Sequence, residues 1–429
     1  MPDSVNGEAR APGGDTGRAG FPLLTVLALM AGIFAVGSEE LVVSPLLLDM
    51  ARSFDTSVAV MALSVSVYGV STAIGALLFA PLGDRVSRRV CLISGMAVFL
   101  VGTLLCAFAA GPGVFFTGRA LAGLATGAFV PTAYAFVGDR IPYAYRAKAM
   151  GIIVSSWSLS LVLGVPLGSF IGEWAGWRWA FGLLAVLGLL VICVLSRVSG
   201  EPAAGPEQRA EENTPAQGWR RSTAEALRAP RVGLYVLVTF LNMLGFYGMY
   251  TYLGSAMQYR FGAEGGLTGV MILVYGLGFA TSFVTGKWAD GRGKERVLAG
   301  LLAGLVPALA LIPFVSRWTP LLVVCLFLWG AMQSLVVTLL STLLSECSTR
   351  HRGTVLAFYS LATNLAVALG AAVMGPLFTA YGFSAVGYVC AGIMLVGCAL
   401  SAVAHRRGGD RDPAPAVSPG SKAVATHES

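Results

Sequence analysis

Long apolar runs recur along the whole chain and are separated by short polar segments. In the N-terminal half they cover residues 21–48, 57–80, 90–110, 112–138, 148–171 and 176–197. In the C-terminal half they cover residues 231–256, 266–286, 296–315, 319–343, 354–380 and 382–404. A helix of about 20 apolar residues crosses a bilayer, so each run predicts one transmembrane helix. The expected fold class is an all-α membrane protein with twelve transmembrane helices in two six-helix pseudo-repeat bundles.

The polar segments define the expected domain organisation. Residues 1–20 form a disordered N-tail, 21–198 the first bundle, 199–230 a linker, 231–404 the second bundle and 405–429 a C-tail. The linker is the only long interruption and is rich in Pro, Ala and Glu. The first apolar run is too long for a signal peptide, so no cleaved leader is expected.

Lysine and arginine are distributed unevenly between the loops. With the N-terminus inside, 24 of the 29 basic residues fall in the N-tail, the linker, the C-tail and alternate loops. Basic residues favour the cytoplasmic side of a membrane. The pattern predicts a multi-pass protein of the inner (cytoplasmic) membrane with both termini, and so both tails and the linker, in the cytoplasm.

Composition excludes several classes of function. Only 12% of the residues are charged, about half the share of a soluble domain. The net charge of +7 is spread over short loops, without a basic face interleaved with aromatics, so no nucleic acid partner is expected. The seven cysteines and three histidines form no metal-binding motif. No phosphate-binding loop or hydrolase motif is present, so we expect no metal, no cofactor and no enzymatic activity.

A short acidic and basic motif occurs twice. The loop after the second apolar run contains Asp84, Arg85 and Arg88, and the loop after the eighth contains Asp290 and Lys294. The two aspartates are 206 residues apart, about the length of one six-helix half. One interpretation is a cytoplasmic turn whose Asp accepts hydrogen bonds in one conformation and releases them in the other. The alternative is an ordinary basic loop with a solvated Asp; the repetition favours the first.

This loop resembles the signature motif of the major facilitator superfamily. Other segments are similar to the twelve-span drug/proton antiporter branch of that family, especially its sugar, chloramphenicol and purine efflux members. Those segments are residues 37–43 in span one, 164–172 at span five with 176–181 shortly after it, 250–253 in span seven and Asn364 in span eleven. The resemblance implies the fold of that superfamily and proton-coupled export of a drug or small metabolite.

The sequence departs from the family pattern at several positions. Ala80 and Ser87 occupy sites in the first loop where the family has glycine. Glu39 is an additional acid before the expected Glu40, and span five has Gly-x-Pro where many members have Gly-Pro. These differences weaken any transfer of substrate identity.

Three charged residues lie well inside apolar runs. Glu39 and Glu40 are adjacent in span one, and Arg119 lies in span four. Buried charges in membranes usually face a cavity or each other. Adjacent side chains project about 100° apart on a helix, so both acids cannot face one site equally. The resemblance selects Glu40 as the proton-coupling carboxyl, with Arg119 as partner of Glu40 or of the substrate. The alternatives are a fixed ion pair or hydrated glutamates.

Span five carries small residues at helical spacing. Gly164, Gly168 and Gly172 share one face, and Pro166 lies between them. Close packing against a neighbouring helix explains this pattern without further function. The resemblance to the antiporter motif implies more, namely a flexible seam with the opposite half that favours export.

Aromatic and amide side chains suggest the substrate cavity. Asn242, Phe246 and Tyr250 lie in span seven, Gln333 in span ten and Asn364 in span eleven. An apolar, aromatic cavity with few polar groups suits amphipathic molecules. Aromatic residues near a span end also form interfacial belts, which is the alternative explanation.

The function expected from these observations is proton-coupled antiport of a drug or small metabolite, which includes multidrug efflux and antibiotic resistance. The expected partners are a small-molecule substrate, protons and the lipid bilayer, and the expected oligomeric state is a monomer. A proton-linked importer and a non-transporting membrane sensor on the same scaffold are the alternatives.

Overall fold

The computed structural model describes residues 21–79, 86–197, 225, 229, 231–261, 265–281, 293–316, 318–348 and 352–409. Within these ranges every regular element is a helix. The helices are α1 (Leu23–Leu41), α2 (Val43–Ser53), α3 (Val58–Phe79), α4 (Arg88–Ala107), α5 (Pro112–Arg140), α6 (Tyr143–Leu159), α7 (Val165–Ala175), α8 (Trp177–Arg197), α9 (Val232–Phe261), α10 (Gly265–Ala280), α11 (Lys294–Val315), α12 (Thr319–Cys347) and α13 (Arg352–Gly409).

Most helices are long and apolar enough to cross a membrane. Ten such helical segments occur among the described residues, and the shorter apolar helix Gly266–Ala280 adds to them. Helices satisfy their own backbone hydrogen bonds, which is why apolar runs of this length fold as helices in lipid. The expectation of an all-helical, membrane-spanning chain is therefore confirmed.

Three irregularities interrupt the helices. Val42 joins α1 to α2 with nearly helical angles, so the two form one span. A π-helical turn, Ser160–Gly164, joins α6 to α7 directly before Pro166. The wider turn lets the amide of Val165 reach back to Ser160, which accommodates the proline behind it. Gly382, at φ 75°, bends α13 between the two last apolar runs, and a positive φ favours glycine.

Helices of the two halves meet along three lines. Helix α2 packs against α9, α3 packs against α13, and α7 with the π-helical turn packs against α10. A continuous cluster of buried apolar side chains includes members from both halves, such as Leu47 of α2 and Met257 of α9. A second cluster belongs to the N-terminal half and includes Phe99 and Phe129.

The end of the molecule where α1 begins carries two ion pairs at matching positions; we call it the basic end. Arg88 Nε lies 3.1 Å from Asp139 Oδ2, and Lys294 Nζ lies 2.5 Å from Glu346 Oε1. Each pair joins the start of one helix to the end of the next. Of the predicted conformational loops, Asp84, Arg85 and Asp290 lie outside the described residues.

The predicted tails and linker lie mostly outside the described residues. This applies to 1–20, to the linker except residues 225 and 229, and to residues after 409. Helix α13 continues to Gly409, five residues past the predicted end of the second bundle. The domain boundaries remain predictions.

Candidate functional site

A buried ion pair lies in the centre of the N-terminal half. Arg119 Nη1 of α5 is 2.6 Å from Glu39 Oε1 of α1, and both side chains are fully buried. The same nitrogen donates to the backbone oxygen of Glu39 at 2.8 Å. The guanidinium also lies 4.2 Å above the ring of Tyr68 on α3. Arginine stacks well on aromatic faces. The side chain of Arg119 on α5 is therefore held by contacts with both α1 and α3.

Glu40 points in another direction and reaches the C-terminal half. Its Oε1 accepts a hydrogen bond from the hydroxyl of Tyr247 on α9 at 2.5 Å, and the side chain is buried. The two adjacent acids thus face different halves, as their angular separation on a helix requires. This corrects the expected pairing: Arg119 binds Glu39, while Glu40 makes the contact between the halves.

The same line of contact continues towards the opposite end, which we define by Asp49 and Gln258. Ser44 Oγ donates to the backbone oxygen of Tyr250 at 2.5 Å. Gln258 Nε2 donates to the backbone oxygen of Pro45 at 3.0 Å and to Asp49 Oδ2 at 3.1 Å. Hydrogen bonds therefore connect span one with span seven from Glu40 to this end of the molecule.

Four aromatic side chains form a cluster in the C-terminal half, which we call the aromatic box. It consists of Phe246 and Tyr250 of α9, Tyr275 of α10 and Trp329 of α12. The Phe246 ring lies 5.4–6.0 Å from the other three rings, measured between centroids. Tyr275 lies 4.7 Å from Trp329. All four side chains are buried.

The predicted cavity residues divide into two groups. Asn242 and Gln333 exchange side-chain hydrogen bonds of 2.9 and 3.3 Å and lie about one helical turn from the aromatic box. Asn364 is elsewhere: its amide donates to the carbonyl of Ser360 on its own helix, and its backbone oxygen faces Gly69 of α3. The structure brings together four of the five predicted residues.

The small residues of span five face span one of the same half. Gly164 packs against Ser38, Gly168 against Val42 and Gly172 against Leu46. A β-carbon at any of these glycines would clash with the facing side chain. Because both sets advance by four residues, they form one continuous helix contact.

The seam with the opposite half uses other residues of span five. A β-carbon on Gly276 of α10 would lie 2.6 Å from the backbone oxygen of Leu161, and one on Gly269 would lie 3.4 Å from the β-carbon of Ser169. Pro166, buried in the first turn of α7, follows the π-helical turn. The contacts correct the expected seam through the glycines and favour close packing within one half.

Contacts in the two halves match after a shift of 206 or 207 residues. Gly69 faces residues 367 and 368, while Gly276 faces residues 161 and 162. Gly123 packs against the backbone oxygen of Tyr68, and Gly330 packs against that of Tyr275. The hydrogen bonds from Ser44 to Tyr250 and from Tyr247 to Glu40 join positions 206 and 207 residues apart.

A groove of about 690 Å³ opens at the opposite end, between α2, α9, α11 and α13. Its polar lining includes Arg52 and Arg260 and, within the part of the chain that the structure describes, no acidic side chain. The groove does not reach Glu39, Glu40 or the aromatic box, so it is separate from the buried site.

Comparison with known proteins identifies the family. The sequence model of the family named Major Facilitator Superfamily matches residues 28–297 and 235–427 of the chain. The chain belongs to the major facilitator superfamily. It is therefore a multi-pass membrane transporter for a small solute and not an enzyme.

Individual superfamily members show how far the similarity extends. The chain is 52% identical to the uncharacterized MFS-type transporter YwfA of Bacillus subtilis (strain 168) over 91% of this chain and 94% of YwfA. It is 28% identical to a probable sugar efflux transporter of Helicobacter acinonychis (strain Sheeba) over 72% and 76%. The structure of the nucleoside transporter NupG, 12% identical, superposes with a TM-score of 0.72 over 89% and 99%, which shows a shared fold.

Sequence reasoning missed several residues of this superfamily member's buried site. They are Tyr68, Tyr275 and Trp329, together with the contact of Tyr247 with Glu40. The spacing of the two Asp loops contains a signal for some of them. A shift one residue longer than that spacing, 207 residues, leads from Glu40 to Tyr247 and from Tyr68 to Tyr275. No comparable signal marks Trp329, which is one apolar residue in an apolar run.

Proposed function

We propose that this transporter is a proton-coupled antiporter that exports a small organic solute by alternating access, with Glu40 as the carboxyl that binds the exchanged proton. The observation that carries the proposal is the hydrogen bond from Tyr247 to Glu40, because it places a buried carboxyl on the contact between the halves. Intramembrane acids of this kind usually serve proton or substrate transfer.

The ion pair beside Glu40 gives that residue its distinct role. Arg119 compensates the charge of Glu39 directly, at 2.6 Å. Glu40 has a neutral tyrosine hydroxyl as its partner, so its own charge has no directly bound cation among the described residues. Of the two acids, Glu40 is the one that can gain and lose a proton without breaking a buried ion pair, which would be costly.

Proton binding and solute binding are coupled if the proton and the solute favour different states of the contact between Glu40 and Tyr247. The ionised carboxylate accepts a charge-assisted hydrogen bond from Tyr247, which stabilises the closed seam towards Gln258. Protonation weakens that bond and favours separation of the halves at this end. A solute that binds better to one of these states is thereby linked to the proton, since coupling between two ligands is reciprocal.

We further propose twelve spans in two six-helix halves. Ten described segments qualify by length and composition, α10 supplies an additional span, and the bend at Gly382 divides the 52-residue segment into two. The matched contacts after a shift of 206 or 207 residues support two equivalent halves. We place the basic end, both termini and the Asp84 and Asp290 loops in the cytoplasm, where the loops act as latches.

Export is the proposed direction. Its supports are the resemblance of residues 164–181 to the antiporter motif and the name of the relative from Helicobacter acinonychis, a probable sugar efflux transporter. The proposed location is the cytoplasmic membrane, and the proposed unit is the monomer.

Inside-out vesicles test this proposal. Respiration acidifies the lumen, acridine orange reports the pH gradient, and a panel of sugars and aromatic acids is added one by one. An exporter exchanges a panel compound for luminal protons, so the gradient collapses with wild type and persists with Glu40→Gln at equal protein amount. Solute leaving the lumen together with protons would instead identify an importer. A chain that moves no solute in either direction would contradict transport and indicate a sensor.

A further inference from the structure

The aromatic box contains buried polar groups without partners. The hydroxyls of Tyr250 and Tyr275 and the indole nitrogen of Trp329 have no hydrogen-bond partner among the described residues. The three side chains are exposed by at most 2%. More than about 90% of buried polar groups in proteins are paired, and an unpaired one destabilises the folded protein. Three in one cluster therefore require an explanation.

Several neighbouring polar side chains on the same helices have hydrogen-bond partners. The hydroxyl of Tyr247 donates to Glu40, and that of Tyr252 donates to the backbone oxygen of Ala371 at 2.6 Å. Asn242 and Gln333 pair with each other. Ser255 Oγ and Gln258 Oε1 of α9 also have no partner among the described residues. What distinguishes the box is that three such groups lie in one cluster of contacting rings.

The chemistry of the three unpaired groups defines which ligand atoms could form hydrogen bonds with them. An indole N–H only donates a hydrogen bond, so the partner of Trp329 must be an acceptor. Tyrosine hydroxyls can donate to the same kind of atom. The surrounding ring faces favour an offset-stacked or edge-on aromatic ring. A fitting ligand therefore has a planar ring and hydrogen-bond acceptor atoms.

The position of the box connects it to the proton site. Phe246 lies 4.8 Å from the ring of Tyr247, the residue that binds Glu40. A ligand that separates Phe246 from its neighbours would therefore act on the ring that carries the hydrogen bond to Glu40. Displacement of the Phe246 ring would thereby link ligand binding in the aromatic box to the contact between the halves.

We propose that Phe246, Tyr250, Tyr275 and Trp329 form a substrate subsite for a planar aromatic compound that carries acceptor oxygens. The inference rests on the proposed transport function and names its substrate class. In the state described here the rings close on one another, and the ligand replaces ring–ring contacts with ring–ligand contacts. The three unpaired groups then bind the ligand's oxygens.

A second aromatic cluster provides the control. Trp177 packs edge-on against Phe115 and Phe181 and also has an unpaired indole nitrogen. That cluster lacks tyrosine, and the guanidinium of Arg178 lies 4.3 Å above the Trp177 ring. A planar ligand would have to displace this cation, so the Trp177 cluster is not expected to bind one.

The test is equilibrium dialysis of purified full-length protein with two matched pairs of probes. Coumarin is compared with octahydrocoumarin, and 4-hydroxybenzoate with 4-hydroxycyclohexanecarboxylate; each pair shares its acceptor oxygens and differs in the aromatic ring. We expect at least one aromatic probe to bind about fivefold more tightly than its saturated counterpart, because ring stacking adds about 1 kcal/mol to area burial. The neutral and anionic pairs also distinguish which charge the subsite accepts.

Variants assign the binding to the box. Trp329→Phe and Tyr275→Phe each keep a ring and remove one hydrogen-bond donor. Each should therefore raise the dissociation constant of the bound probe about fivefold, which corresponds to the loss of one neutral hydrogen bond. Trp177→Phe should leave the dissociation constant unchanged. Size-exclusion profiles confirm that each variant is folded.

Several outcomes would overturn the inference. They are no binding of either aromatic probe below about 10 mM, equal binding of aromatic and saturated probes, or equal losses in Trp329→Phe and Trp177→Phe. The dialysis uses no pH gradient, so it is independent of proton coupling. Aromatic binding without gradient collapse in vesicles would contradict only the proposed antiport, while collapse without aromatic binding would contradict only the subsite.

Discussion

The centres of the two halves share a scaffold and differ in chemistry. A shift of 207 residues relates Glu39 to Phe246, Tyr68 to Tyr275 and Arg119 to Leu326. In the N-terminal half these positions form a buried ion pair under a tyrosine ring. In the C-terminal half they lie within an apolar and aromatic cluster. One helical framework thus holds charge on one side of the seam and ring faces on the other.

The shared scaffold is visible in backbone packing. Gly123 lets α5 approach the backbone oxygen of Tyr68, and Gly330 lets α12 approach that of Tyr275 in the same way. Small residues allow close helix contacts in membranes. The same backbone packing thus occurs in both halves, while the side chains that face the contact between the halves differ.

The largest effect is expected from breaking the buried ion pair. Arg119→Gln leaves Glu39 without its cation, and removal of one partner of a buried pair costs about 3–5 kcal/mol. Unfolding in mixed micelles titrated with dodecyl sulfate measures the loss. The matching change in the C-terminal half, Leu326→Met, should cost less than about 1.5 kcal/mol because it conserves volume and polarity.

The double variant Glu39→Gln with Arg119→Gln serves as the control for the ion pair. It removes both charges and leaves two amides, the arrangement that Asn242 and Gln333 already form in the C-terminal half. We expect it to recover most of the stability lost in Arg119→Gln. A double variant as unstable as the sum of the two single variants would show that the charges do not act as a pair.

An intermediate effect is expected from Tyr247→Phe, which removes the contact between Glu40 and the C-terminal half. A hydrogen bond to a charged group contributes about 1.5–3 kcal/mol and one to a neutral group about 1 kcal/mol. The stability lost should therefore be greater at a high pH that ionises Glu40 than at a low pH that protonates it. Tyr252→Phe, whose hydroxyl binds a backbone oxygen, should show the same loss at both values. Equal losses for Tyr247→Phe at the two pH values would contradict an ionisable partner.

A smaller effect is expected from the paired glycines. Gly123→Ala and Gly330→Ala force a helix away from a tyrosine backbone oxygen, and overpacking of this kind costs about 1–3 kcal/mol. The two losses should be similar if the halves are equivalent. Gly300→Ala is the control, since nothing lies within 4 Å of the added carbon. A loss confined to one of the pair would break the equivalence.

The sequence predicts the helical fold well and the site only in part. Apolar runs and the Lys and Arg bias are local properties, so the spans follow from length and hydropathy. The angle between Glu39 and Glu40 on the helix predicts that they face different sites, and the resemblance to the family selects Glu40 as the coupling residue. The partner of Arg119 could not be predicted, because it depends on how α5 is rotated against α1.

The aromatic box shows the other limit. Phe246 and Tyr250 stand out beside Asn242 in span seven, but Tyr275 and Trp329 come from separate apolar runs without polar neighbours. Only the fold brings these rings within about 6 Å of one another. The role of the span-five glycines was also undecidable from spacing, since the same pattern fits a contact with either half.

The most direct test of the central claim is proton release from purified protein in weakly buffered detergent solution. A compound that collapses the gradient in vesicles is added, and a pH-sensitive dye follows the protons released. The account predicts release by wild type and by the double variant Glu39→Gln with Arg119→Gln, and none by Glu40→Gln. Normal release by Glu40→Gln would contradict the assignment of the coupling proton to Glu40.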